Sequence, residues 1–177
     1  MKHQKRFLER RDGIDYYCFK PSLFRLYDKV YTRQEAPPYF RRLIHHIRMM
    51  RELIRSDYRV IYLVVGGNTI GHLVVGRGGT RVAMSSQEDI VIGPVWTIPS
   101  QRNQGYASKG IHFALHNAGF QYVNAYEYIK QSNRASIRTV EKNGFVLVAR
   151  CAEHGLMRTL REDQKGDQLV YRYATGD

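Results

Sequence analysis

The stretch "PSQRNQGYASKG", Pro99 to Gly110, decides how the rest of the chain is read. It follows an apolar run, "IVIGPVWTI", and opens a segment with helical spacing. There Ile111, Ala114, Leu115 and Ala118 form an apolar stripe, and Gly119 supplies the stop. A strand that runs through a polar turn into a helix leaves the first backbone N–H groups of that helix without partners. Those groups and the positive end of the helix dipole attract anions. The side chains fit that use. Gly105 has no Cβ and Ala107 has little more, so a phosphate can come close to the backbone. Arg102 adds positive charge, and Asn103 and Gln104 add donors. A plain helix start eased by a glycine has the same appearance. The other phosphate patterns, GxxxxGK[ST] and a strand-borne GxGxxG, are absent.

Upstream, "YRVIYLVVGGNTIGHLVVGRGG" predicts two strands joined at Gly66, Gly67 and Asn68, residues that tolerate positive φ. A third strand is expected from Asp89 to Ile98. Earlier still, "PPYFRRLIHHIRMMRELIRS" has helical spacing. Phe40, Leu43, Ile44, Ile47, Met50 and Ile54 fall on the face expected to be buried, and the arginines mostly on the wet side. "IDYYCFK" and "LFRLYDKV" read as strands. Downstream come a strand, "QYVNAYEYI", a short helix, "NRASIRTVEKNG", and two last strands, "FVLVARCAEHG" and "DQLVYRYA". The order predicts an α/β fold of the α+β type, with a mixed, mainly antiparallel central sheet flanked by helices. With no repeat or linker, one domain over residues 1–177 is expected.

Composition narrows the function. A hydrophobic content of 43% in 177 residues is globular. The charged start, "MKHQKRFLERRDG", is unlike a secretory signal, and no apolar run suits a membrane helix. Two cysteines without a pattern, Cys18 and Cys151, point to a reducing, cytoplasmic setting. The net charge of +12 favours an anionic partner. No helix-turn-helix or stacking-platform motif accompanies it, so neither nucleic acid nor a membrane is the expected partner.

The stretch "VWTIPSQRNQGYASKGI" resembles the acetyl-CoA signature of the GNAT superfamily of N-acetyltransferases: an apolar strand, then Pro99, Arg102, Gly105 and Ala107 at a helix start. A second block, "SNRASIRTVEKNGF", resembles the superfamily's Asn-opened helix and following strand through Asn133, Glu141, Lys142, Gly144 and Phe145. One helix and one strand separate the blocks, as in the superfamily. The resemblance implies a GNAT-like acyl-CoA N-acyltransferase fold, acetyl-CoA as co-substrate and direct transfer without a metal. Residues 57–177 would form the acetyl-CoA core and residues 1–56 the acceptor side. Backbone groups of Val95, Trp96 and Thr97 would hold the pantetheine arm. The turn Arg102, Asn103, Gln104, Gly105, Tyr106, Ala107 would hold the pyrophosphate. Asn133, also a good helix cap, and Ser136 would meet the far end of the arm.

The implied acceptor is a primary amine, on a small molecule such as an amino sugar, polyamine or amino acid derivative. A protein N-terminus is the alternative. Further rivals are a nucleic-acid-binding module and a non-catalytic coenzyme A binder. In many superfamily members a tyrosine protonates the thiolate; its place here is Val140. Tyr126, Tyr128, Tyr171 and Tyr173 are the tyrosines near the expected cleft. Glu127 is the candidate base, with Glu88 and Asp89 as rivals. Strict strand alternation turns Glu127 away from Tyr126 and Tyr128, so only one set is expected to face the cleft. His112 and His116 lie four apart without the Glu of HExxH, and Cys151 reads as a buried thiol. Exposed ends of the last strands leave a homodimer open.

Overall fold

The computed structural model describes residues 5–22, 46–47, 49–51, 53–54 and 57–175. Nine strands form one sheet: β1 (Lys5–Arg11), β2 (Ile14–Phe19), β3 (Tyr58–Val65), β4 (Asn68–Arg77), β5 (Ile90–Thr97), β6 (Asn124–Lys130), β7 (Val146–His154), β8 (Thr159–Glu162) and β9 (Gln168–Ala174). Their order is β1-β2-β3-β4-β5-β6-β9-β7-β8. Between the named strands, every pairing but β5–β6 is antiparallel. Two helices lie on one face, α1 (Tyr106–Asn117) and α2 (Arg134–Lys142). The mixed, mainly antiparallel sheet matches the expected fold class.

The main core lies between the sheet and these helices. Ile111, Phe113, Ala114 and Leu115 of α1 and Ile137 and Val140 of α2 pack on Leu63, Leu73, Ile92, Ala125 and Ile129. Each such side chain, fully buried, contributes about 1.5–3 kcal/mol for the larger residues. The Phe113 ring stacks on Tyr16, centroids 3.8 Å apart. The opposite face carries two smaller clusters. Over the β1–β5 half, Met49 is buried with Tyr58, Tyr62 and Val74. Over the other half, Val82, Tyr126, Cys151, Leu160 and Val170 pack together.

Val82 belongs to the loop between β4 and β5. That loop crosses to β8, where the Ala83 N–H donates to the Leu160 carbonyl at 3.0 Å and the Leu160 N–H to the Arg81 carbonyl at 2.8 Å. It is held internally by Asp89, which accepts from the Ser86 N–H at 2.7 Å, the Ser86 hydroxyl at 2.9 Å and the Asn124 backbone at 3.0 Å. Burial acts against the Asp89 charge, but these donors together hold its carboxyl below the ordinary value. The acid considered as a rival base is therefore a loop anchor, with its oxygens already engaged.

The structure adds two strands and corrects the buried face of one helix. The basic N-terminal stretch holds an edge strand, β1, paired only with β2, and Arg6, Arg10 and Arg11 are exposed on it. A short strand, β8, turns back on β7 after Gly155. The described residues between 46 and 54 are helical, but Met49, Met50 and Leu53 pack on the sheet while Ile47 and Ile54 are exposed. That helix is thus rotated from the face its isoleucines suggest. The expected strand "LFRLYDKV" and the first part of the "PPYFRRLIHHIRMMRELIRS" helix lie outside the described residues.

Gly78 sets the loop's path: a Cβ there would lie 2.2 Å from the Ser86 carbonyl oxygen. Gly78→Ala is expected to destabilise the protein by about 1–3 kcal/mol, since backbone and not a flexible side chain must yield. Urea unfolding should show a lower midpoint at unchanged slope.

Candidate active site

The site begins where the sheet comes apart. β5 and β6 pair only at Ile90↔Ala125 and Val91↔Tyr126. Beyond Val91, β5 stays paired to β4 but has no ladder partner on its β6 side among the described residues. Pro94 lies just past that point. Leu73 faces Val95 and Val75 faces Ile92, so Gly93 and Pro94 together oppose Val74 in a bulge. Proline donates no N–H to a ladder, and a bulge bends the strand that carries it. A proline inside an apolar run is a readable signal for this, and it is the feature that the sequence reading missed.

A cavity of about 590 Å³ occupies the gap. Its walls come from both faces of the sheet: Tyr58, Val74 and Arg81 from one side, Asn133 and Ser136 at the start of α2 from the other, with Val95 and Glu127 between. Because the cavity passes through the sheet, alternation does not force a choice along β6. Both Glu127 and Tyr128 line it, which corrects the expectation that only one set could. Tyr126 does not line it; its side chain is buried beside Val82 and Leu160.

Glu127 is 4% exposed, and its Oε1 has no hydrogen-bond partner. Burial pushes its carboxyl up to about 8. Glu153, from β7, is the contrasting carboxylate. Arg81 donates to one of its oxygens at 2.5 Å and Arg158 to the other. Burial raises the Glu153 carboxyl, but the two guanidiniums outweigh it and the net shift is downward. The Arg81 guanidinium also lies over the Tyr128 ring, 4.7 Å from its centroid. Neither Arg81, Glu153 nor Arg158 carries a motif that marks it in the sequence, because the crossing of the β4–β5 loop to β8 brings them together.

The turn after β5 is a 3-10 helix, Pro99–Gln101, followed by Asn103 at φ +62° and Gly105 at φ +79°. Gly105 is the N-cap of α1, and no side chain caps it. A Cβ at Gly105 would meet nothing within 4 Å, so the turn is open to solvent above the helix start. Arg102 and Gln104 fold back on the turn, donating to the Thr97 carbonyl at 3.2 Å and the Ser100 carbonyl at 3.4 Å. Tyr106 packs on the main core, and Ala107 is half-buried. Trp96 stacks on His72 with centroids 5.5 Å apart. Of the three β5 positions expected to hold a ligand, only Val95 lines the cavity; Trp96 and Thr97 do not.

Asn133 does cap α2, its Oδ1 accepting from the Ser136 N–H at 3.2 Å, and both residues line the cavity. Val140 is buried in the main core, away from the cavity wall. Tyr171 donates to Glu141 at 3.2 Å and Tyr173 packs near Phe145, so neither tyrosine faces the gap. Glu88 is exposed on the loop, outside the lining. The His112 and His116 rings lie edge-on, 4.7 Å apart, on the exposed side of α1. Cys151 is fully buried, and burial, followed by Glu162, pushes its thiol up. No helix among the described residues is long and apolar enough to cross a membrane.

Solved structures share this architecture. A GNAT family acetyltransferase from Elizabethkingia anophelis with acetyl-CoA bound superposes with a TM-score of 0.59 at 10% identity, over 93% of this chain and 100% of that one. The Bacillus subtilis acetyltransferase in complex with CoA gives 0.53 at 15% identity, over 71% and 80%. Ard1 from Thermoplasma volcanium gives 0.50 at 15%, over 67% and 71%. A search of curated proteins finds no match. At such identities the superpositions speak for the fold. The sequence itself carries the family: the description of the Acetyltransferase (GNAT) family matches residues 20–145, and the chain belongs to that family of acyl-transferring enzymes.

Proposed function

We propose that this acetyltransferase binds acetyl-CoA across the β5–β6 gap and moves the acetyl group directly to a primary amine on a small molecule. The observation that carries the reading is Glu127: a carboxyl with an unpartnered oxygen, buried in the wall of a through-going cavity. An orphaned buried acid calls for a ligand that supplies its missing donor. An ammonium or amine N–H does so.

The residues fit the co-substrate. The α1 start offers uncapped N–H groups and an open Gly105 to a pyrophosphate. The β6 side of β5 offers unpaired backbone groups to the amides of the pantetheine arm, as an added strand would be held. Asn133 and Ser136 stand at the other wall. The cavity volume lies within the range for small-ligand sites and is enclosed by side chains on both faces of the sheet. That favours a small amine over a protein terminus.

Glu127 accepts a proton from the acceptor's ammonium, and the neutral amine nitrogen forms a bond to the acetyl carbon. A β5 backbone N–H offsets the charge that develops on the carbonyl oxygen. The carbon–sulfur bond then breaks. The nitrogen gives up its remaining extra proton as the thiolate gains one, leaving amide and thiol. A thiol of pKa ~8.5 leaves with modest help, consistent with a valine at position 140.

Two measurements test this. Gly105→Glu is expected to abolish acetyl-CoA binding in calorimetry while the chain stays folded, since the left-handed backbone costs about 1–2 kcal/mol with a side chain. Unchanged affinity would contradict the phosphate role of the turn. Glu127→Gln is expected to lower kcat/KM by about a hundred-fold or more. It should also remove the limb of the pH profile near 8, below which the base is protonated.

The same residue has a stability signature. Its folded value lies above the ordinary carboxylate value, so the folded protein holds a proton that the unfolded chain releases. Stability therefore falls as pH climbs from about 4.5 to 8, and this contribution is flat above that. Glu127→Gln should flatten the fall when unfolding midpoints are compared across that window. An identical slope in both proteins would contradict the burial of the acid.

A further inference from the structure

The charges around the cavity are one-sided. Among its described lining residues, Arg51, Arg77, Arg81, Lys130 and Arg158 face only two acids, Glu127 and Glu153. Arg77 is committed elsewhere, donating to the Gln121 carbonyl at 2.6 Å. Lys130 sits beside the α2 start at the end of β6. Three arginines remain on the face opposite α1 and α2. Arg51 lies between Met50 and Leu53, which pack over Tyr58 and Val74. Arg81 lies over Tyr128, and Arg158 follows the β7 strand.

Glu153 does not balance them. Its two oxygens are both taken, one by Arg81 and one by Arg158, so two guanidiniums share a single negative charge. The Nη1 of Arg81 is enclosed without a hydrogen-bond partner. Arg158 engages Glu153 through Nε, and its side chain is half exposed. The other acid in the cavity, Glu127, is buried, and burial pushes its carboxyl up to about 8. This wall thus presents more guanidinium groups than carboxylates, in the same cavity as the proposed base.

Resting on the acetyl-transfer reading above, we infer that the acceptor is an amine that also carries an anionic group, a carboxylate or a phosphate, which docks against Arg51, Arg81 and Arg158. Guanidinium groups bind both anions through paired N–H donors. A polyamine would place its second cation against the same arginines, and like-charge contact is a discriminating penalty. The arrangement orients the acceptor: its anion is held at the arginine wall and its nitrogen faces Glu127.

The test is steady-state acetyl transfer with matched acceptors. One pair is an amino acid and its amide, which differ only in the carboxylate. A second is an amino sugar with and without a phosphate. Spermidine serves as the polycation. The expected result is that one anionic member exceeds its neutral twin in kcat/KM by about ten-fold or more, and that spermidine is poorest. Which pair shows the larger ratio assigns carboxylate or phosphate. Arg158→Glu should shrink that ratio by about ten-fold, with the change in KM more than in kcat, and should improve spermidine relative to the anionic acceptor. Arg158→Lys should restore part of it, and circular dichroism checks that both variants are folded. If neutral amines or spermidine are preferred, or the ratio survives Arg158→Glu, the inference is overturned while acetyl transfer stands. If no amine of any charge is acetylated by a chain that binds acetyl-CoA, the transfer reading fails and this inference fails with it.

Discussion

The separation of β5 from β6 after Val91 is the constraint on which the rest of the molecule depends. A parallel pair that continued would bury the backbone groups of β5 in a ladder and fill the space now occupied by the cavity. Pro94 and the bulge opposite Val74 prevent it. Two anchors then keep the halves from drifting. On one face, α1 and α2 share a single apolar core that spans both halves, from Leu63 and Leu73 to Ile129 and Leu169. On the other, the β4–β5 loop reaches over to β8 and is pinned there by backbone hydrogen bonds. The gap is therefore a held opening, with packed protein on either side.

Three acids show how position decides chemistry. Asp89, Glu153 and Glu127 are all withdrawn from water to some degree. Asp89 is met by backbone and side-chain donors, and Glu153 by two arginines, so both stay ionised and serve as anchors. Glu127 receives no such partner at Oε1, and its proton is correspondingly hard to remove. A buried group left unsatisfied costs stability, on the order of 1–3 kcal/mol or more for a charged one. The fold tolerates it at the place where an amine would complete it, which is the usual setting of a base poised near neutral pH.

Much of this was legible in the sequence. The strand–turn–helix junction, Gly105 at a helix start, Asn133 as a cap and the hairpin through Gly66 and Gly67 all depend on local chemistry, which neighbours in sequence express. The rest depends on what distant segments do to one another. Ile47 and Ile54 fit the apolar stripe, yet packing against Tyr58 and Val74 selects Met49 and Leu53 instead. Strand alternation separates Glu127 from Tyr128, but a cavity that pierces the sheet admits both. Arg81 and Glu153 stand 72 positions apart, and their contact exists because a loop crosses four strands. No spacing rule reaches that far.

The central claim is that the unpaired side of β5 receives the pantetheine arm of coenzyme A. Amide hydrogen exchange, followed with and without saturating coenzyme A, tests it directly. Ile92, Val95 and Thr97 supply the backbone amides to watch, together with those that open α1. The account predicts that β5 beyond Val91 and the first turn of α1 slow together on binding, while β1 and β8 are unchanged. Binding measured by calorimetry with protection confined elsewhere, and none in β5, would contradict it.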